Sequence, residues 1–200
     1  MIDHLEEYVK AVAAHFRGLG VDFAVVGGIA VSLRTVERFT KDVDFAISVR
    51  EDREAESIVE SLRQAGFRIA MFLERDEDGR LATVRLTSDG DVEVFVDLLF
   101  ATSGIENEII ADATPLEVFP GFVVKIASVP SLIAMKILSA DWETRPQDVI
   151  DLQYLIAAAS PEDIVTAEGL TALIVERGYC RSKDLKKDLD SYIERFRSEN

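Results

Sequence analysis

The sequence predicts an α/β fold of the α+β kind, with sheet and helices in the first two thirds of the chain and a helical C-terminal part. Three observations predict it. Short apolar runs bounded by glycine and acidic turns recur between residues 22 and 100. Helical spacing of apolar residues interrupts them near 3–18 and 51–65. After about residue 128 only helical texture remains, which divides the chain into an N-terminal domain, 1–128, and a helical C-terminal domain, 129–200.

The elements follow in order. Leu5, Val9, Val12, Phe16 and Leu19 give the first helix one buried face, and Gly18 and Gly20 stop it. Asp22 to Gly27 is a short apolar run ending in Gly27-Gly28, a buried strand, and Ile29 to Leu33 is a short helix. Asp42 to Ser48 alternates as a second strand. A helix over 51–65 closes at Gly66, and Phe67–Leu73, Leu81–Thr87 and Val92–Phe100 read as three further strands. Turn residues at 76–79 and 88–91 suit hairpin connections between those three. Pro130 is placed to begin a helix, and 131–140, 146–159, 161–177 and 184–197 continue helically.

Composition narrows the chemistry. The chain has 200 residues, 48% apolar and 30% charged, with a net charge of −15. That is enough apolar material for a core, and no run approaches the roughly 20 residues of a bilayer span. The N-terminus is acidic and has no secretory pattern, so a cytoplasmic protein without membrane attachment is expected. The single Cys180 forbids an intrachain disulfide and a cysteine-built zinc site, and only His4 and His15 are available as imidazoles. Chemistry must therefore run on carboxylates, basic side chains and backbone. A pI near 4.5 speaks against a broad nucleic-acid footprint.

The informative stretch lies between residues 25 and 45. A strand runs into Gly27-Gly28 and then a helix, where missing side chains and free backbone N–H groups let a phosphate approach. Thirteen residues separate Gly28 from Asp42, and Asp44 follows on the same strand face, with α-carbons about 6.6 Å apart. Two carboxylates so placed can converge on divalent cations while Val43 and Phe45 face the core. Asp97 is an acid among the apolar residues of the strand Val92–Phe100, where desolvation would cost several kcal/mol unless it were paired or bound to a cation. If its strand lies beside that of Asp42, the three acids share one site. Glu93 is the rival, nearer the strand's solvent end.

Gly27-Gly28, Asp42-x-Asp44 and Asp97 together resemble the signature of the nucleotidyltransferase superfamily typified by DNA polymerase β. Arg38-x-Thr40-x-Asp42-x-Asp44, with Lys136 and Arg145-Pro-Gln-Asp148-x-x-Asp151-Leu152, is similar more narrowly to the AbiEii-type (abortive-infection toxin) branch. The resemblance implies a nucleotidyltransferase-type mixed sheet flanked by helices. It also implies Mg²⁺-dependent transfer of a nucleoside monophosphate from an NTP to an acceptor hydroxyl, with pyrophosphate released. Asp42, Asp44 and Asp97 would be the catalytic residues and hold two Mg²⁺ ions. Gly27 and Gly28 would cradle the triphosphate. Many members carry Gly-Ser at this turn; here Gly28 stands in place of the serine, and Ser32 is the candidate replacement for its hydroxyl.

Arg34, Arg38 and Lys41 crowd the segment before Asp42, and Arg38 is the candidate for neutralising the triphosphate. Lys136 sits in an apolar helix, where the resemblance gives it a nucleotide role, with Asp148 as the partner that orients it. Trp142, Tyr154 and the phenylalanines are expected in the core. The resemblance leaves the acceptor open among a tRNA end, a protein hydroxyl and a small molecule, the last as in antibiotic nucleotidyltransferases, and it implies a cognate antitoxin partner. A non-catalytic nucleotide-binding or interaction module on the same fold is the alternative to an enzyme.

Overall fold

In the computed structural model, residues 2–37, 40, 42–88 and 94–198 are described. Helix α1 (Ile2–Leu19) buries Val9, Val12, Ala13 and Phe16, and its chain turns at Gly20, whose φ of +70° suits glycine. Strand β1 (Phe23–Val26) is buried throughout, and α2 (Gly27–Arg34) follows without a loop. In β2 (Asp42–Ile47) the alternation holds: Val43 and Phe45 are fully buried, while Asp42 and Asp44 face the other way and are partly accessible. Helix α3 (Asp52–Gln64) packs Ala55, Ile58 and Leu62 inward and ends before Gly66.

Strands β3 (Arg68–Glu74), β4 (Leu81–Thr87) and β5 (Phe95–Leu99) form an antiparallel meander. Its outer strand β5 docks parallel to β2, and β2 pairs antiparallel with β1. The chain then adds α4 (Glu106–Asp112) and a hairpin, β6 (Thr114–Phe119) and β7 (Phe122–Ile126), whose second strand runs parallel to β1. Among the described residues the result is one mixed sheet of seven strands in the order β3-β4-β5-β2-β1-β7-β6. The mixed α/β architecture is as expected, with two strands and one helix more than sequence patterning supplies. The expected strand start at Val92, the rival Glu93 and the turn residues 89–91 lie outside the described residues.

The C-terminal part consists of α5 (Val129–Ser139), α6 (Pro146–Ala158), α7 (Pro161–Glu176) and α8 (Leu185–Ser198). Their starts are written in the sequence. Ser128 accepts a hydrogen bond from the Ser131 N–H, and Ser160 and Asp163 form a reciprocal capping box. A proline opens both α6 and α7. One contiguous apolar core runs from Val9 and Phe16 through Phe45 and Leu98 to Leu132, Leu152, Ile174 and Phe196, and the C-terminal helices join it by packing on α2 and α4. Among the described residues no helix is long and apolar enough to cross a membrane.

Candidate active site

The site begins where β1 gives way to α2. Val26 pairs with Asp44 in the antiparallel register, which brings the Gly27 turn against the aspartate. Gly27 has φ +62°, and a Cβ there would lie 1.9 Å from Asp44 Oδ2. Any side chain would collide with the carboxylate, so glycine is required by both conformation and space. Gly28 is buried in the first turn of α2.

Parallel pairing of β2 with β5 sets Asp42 opposite Phe95 and Asp44 opposite Asp97. Antiparallel pairing of β4 with β5 sets Arg85 opposite Asp97 in turn. The Arg85 guanidinium grips Asp97 with both arms, Nε to Oδ1 at 2.7 Å and NH2 to Oδ2 at 2.6 Å, and lies 3.7 Å from Asp42. It also stands 5.2 Å from the centre of the Phe95 ring. This fork-to-fork geometry is the strongest form of an arginine–carboxylate contact. The hydrogen bonds to Asp97 are the main reason the Arg85 guanidinium holds its proton more tightly than usual.

The electrostatics record the crowding of acids. Burial, followed by the charges of Asp97 and Asp42, pushes the Asp44 carboxyl up to about 7, against partial relief from Lys136 and Arg85. Among the described residues no group of three Asp, Glu, His or Cys side chains is gathered closely enough to hold a metal ion. Asp42, Asp44 and Asp97, expected as such a group, are neighbours by register, but both oxygens of Asp97 are engaged by Arg85. The donor chemistry itself, oxygen only and three acids on adjoining strand positions, suits a hard divalent cation.

Facing the sheet, the C-terminal helices present the second wall. Lys136 on α5 reaches Asp148 at 2.5 Å and Asp151 at 2.8 Å, both on α6 and both buried. Arg145 Nε lies 2.7 Å from the second oxygen of Asp148, outside hydrogen-bonding alignment, so that contact is Coulombic. Burial alone would raise the Asp148 carboxyl, but Lys136 and Arg145 hold it below the usual range. A lysine flanked by two buried acids has its ammonium fixed in place.

Between these walls lies a cleft of about 600 Å³ lined by Gly27, Gly28, Asp42, Asp44, Asp97, Lys136 and Asp148. Ser32 lies on α2 and is not among the cleft-lining residues. Arg38 and Lys41 lie outside the described residues. Arg34 points elsewhere: it donates to Ala127 O, Ile126 O and Thr114 Oγ1, tying α2 to the β6–β7 hairpin. Trp142 and Tyr154, expected in the core, are largely exposed, and Trp142 stands beneath Arg195. Arg85 escaped sequence reading altogether, although it interrupts an apolar strand much as Asp97 does. Arg181 also lines the cleft, from the loop before α8, and donates to Thr102 O.

A family model for the nucleotidyl transferase AbiEii toxin of a type IV toxin–antitoxin system matches residues 12–199. The chain belongs to the AbiEii family. It is accordingly a nucleotidyltransferase, and the AbiEii match takes in the C-terminal helices as well as the sheet. No curated protein is significantly similar in sequence. Among solved structures, an antigenic nucleotidyltransferase-like protein from Paracoccidioides brasiliensis is similar, with a TM-score of 0.53 and 22% identity over 96% of this chain and 93% of its own. The antibiotic-resistance factor ANT(2'')-Ia in solution has a TM-score of 0.56 and 20% identity over 100% of both chains. The same factor in complex with adenylyl-2''-tobramycin gives 0.54 and 18%, over 86% of this chain and 97% of that one. At these identities the likeness establishes that the AbiEii chain shares their fold.

Proposed function

We propose that this AbiEii-family enzyme transfers a nucleoside monophosphate from an NTP to an acceptor hydroxyl and releases pyrophosphate, using two Mg²⁺ ions held by Asp42, Asp44 and Asp97. The observation that carries the reading is the register of Asp44 against both the Gly27 turn and Asp97. It supports grouping Asp42, Asp44 and Asp97, neighbours by strand register, beside the backbone at the start of α2. Bound divalent ions would neutralise the triphosphate and activate the acceptor oxygen.

The chain's own residues do the rest by positioning and charge. Gly27 and Gly28 are assigned to the triphosphate through the backbone N–H groups at the start of α2, Gly27 lacking a side chain so that Asp44 can close against it. Lys136, fixed by Asp148 and Asp151, supplies one oriented positive charge from the opposite wall. Arg38 is assigned to the triphosphate on its sequence position alone. Ser32 is the hydroxyl candidate on α2.

The acceptor is an RNA end or a protein hydroxyl, in keeping with a toxin, and a cognate antitoxin and a cytoplasmic setting go with that reading. A small-molecule acceptor is the second reading, favoured by a net charge of −15 that repels long polyanions. Incubation with each α-³²P-labelled NTP, Mg²⁺ and cell extract tests both. Label on RNA or protein supports the toxin reading, and label on a small molecule supports the second. No label with NTP binding intact would make the protein a nucleotide-binding module.

A further inference from the structure

Among the described residues, Arg85 is the one cation placed by backbone register against the acids of the cleft. Its strand pairing with Asp97 is fixed by the β4–β5 ladder, so the two side chains cannot drift apart with a loop. The guanidinium engages both Asp97 oxygens at 2.6–2.7 Å. A divalent ion binds carboxylate oxygen at about 2.0–2.6 Å. A divalent ion at Asp97 would have to bind oxygens that the guanidinium already engages, so the two cations compete for Asp97.

Arg85 has somewhere to go. Its side chain keeps 32% of its exposure whereas that of Asp97 keeps 12%, and Arg85 itself lines the cleft that opens onto Gly27 and Gly28. A triphosphate entering there offers a planar guanidinium the same bidentate oxygen geometry that the carboxylate does, with more charge. We infer that Arg85 is an exchange residue: it neutralises Asp97 in the resting protein and transfers to the phosphates of an incoming NTP, which frees Asp97 to join Asp42 and Asp44 in holding a divalent cation. This rests on the nucleotidyl-transfer reading above and adds an order to it, with nucleotide admitting metal rather than the reverse. Arg85 thus acts on the metal through Asp97 and on the NTP phosphates directly.

The test is metal affinity in the full-length protein, read by Mn²⁺ electron paramagnetic resonance without turnover. Wild type should bind Mn²⁺ weakly alone and at least tenfold more tightly with a non-hydrolysable NTP analogue. Arg85→Gln should bind Mn²⁺ alone at least fivefold more tightly than wild type, gain less from the analogue, and show a raised KM for NTP. A purely structural role for Arg85 would not tighten Mn²⁺ binding. Equal or weaker Mn²⁺ binding by Arg85→Gln overturns the exchange. If that variant does not fold, Arg85→Lys, which keeps charge but loses the fork, is judged by the same criterion. Lack of label transfer by wild type would remove the proposed activity but leave the Mn²⁺ comparison standing, so the two failures are distinguishable.

Discussion

Asp44 and Asp97 stand directly opposite one another on parallel neighbouring strands, although they come from distant parts of the chain, and Asp44 also presses against the Gly27 turn. The pairing concentrates negative charge where backbone is barest. Folding works against that repulsion in the absence of a counter-ion, and Arg85 and Lys136 offset only part of it.

Replacing Asp44 should separate function from stability. Its carboxyl is raised from 3.8 to about 7, so the neutral form is the one the fold favours. The associated stability is full below pH 3.8, is lost as pH rises through 7, and stays lost above. Asp44→Asn should therefore stabilise the metal-free protein above pH 7 by about 1–3 kcal/mol, an advantage that shrinks toward pH 4, while label transfer falls to background. Urea denaturation at several pH values measures the first effect and transfer assays the second.

Gly27→Ala should cost both. The methyl group meets Asp44 Oδ2 and the residue is held at φ +62°. A loss of about 1–3 kcal/mol is expected together with weaker NTP binding, measured by denaturation and by titration with an NTP analogue. An unchanged stability would mean that the turn relaxes away from Asp44.

Lys136→Met should be among the most damaging single changes, because it removes the ammonium that the two buried acids Asp148 and Asp151 share. A loss of about 3–5 kcal/mol is expected. Adding Asp148→Asn and Asp151→Asn should restore much of the stability but not the activity, which calorimetry beside transfer assays would read.

Arg177 clamps the end of α7 to α4 and to the loop before it. It donates to Glu108 on α4 at 2.7 and 2.9 Å and to Gly104 O. The hydrogen bonds from Arg177 hold the Glu108 carboxyl below its usual value of 4.5. Its stability contribution is therefore present above pH 4.5 and lost as pH falls below it. Both side chains are partly exposed, so Arg177→Ala should cost only about 0.5–1 kcal/mol at pH 7, less in high salt and little at pH 3, as thermal melts would register.

Much of this architecture is legible in the residues, and the gaps have physical causes. Asp97 is conspicuous because an acid in an apolar strand demands a partner. What sequence cannot supply is which partner, since strand register is set by pairing across long separations. Arg85 was missed for that reason: only the β4–β5 ladder puts it opposite Asp97. In the β6–β7 hairpin, Phe122, Val124 and Ile126 alternate inward while Pro115 and Glu117 blur the pattern of the first strand. Helix α4, at 7 residues, is too short for periodicity to declare itself. Tyr154 was misplaced because α6 carries apolar residues on more than one face; it shares an exposed face with Ile150, four positions before it.

The proposed reaction requires Asp97, together with Asp42 and Asp44, to run a metal-dependent transfer. The most direct measurement is single-turnover transfer of label from an α-³²P-labelled NTP over a Mg²⁺ titration, comparing wild type with Asp97→Asn. Wild type should show Mg²⁺-dependent transfer and the variant a loss of at least 100-fold, while staying folded because Arg85 can still reach an amide oxygen. Transfer by Asp97→Asn at the wild-type rate and Mg²⁺ dependence would contradict that requirement.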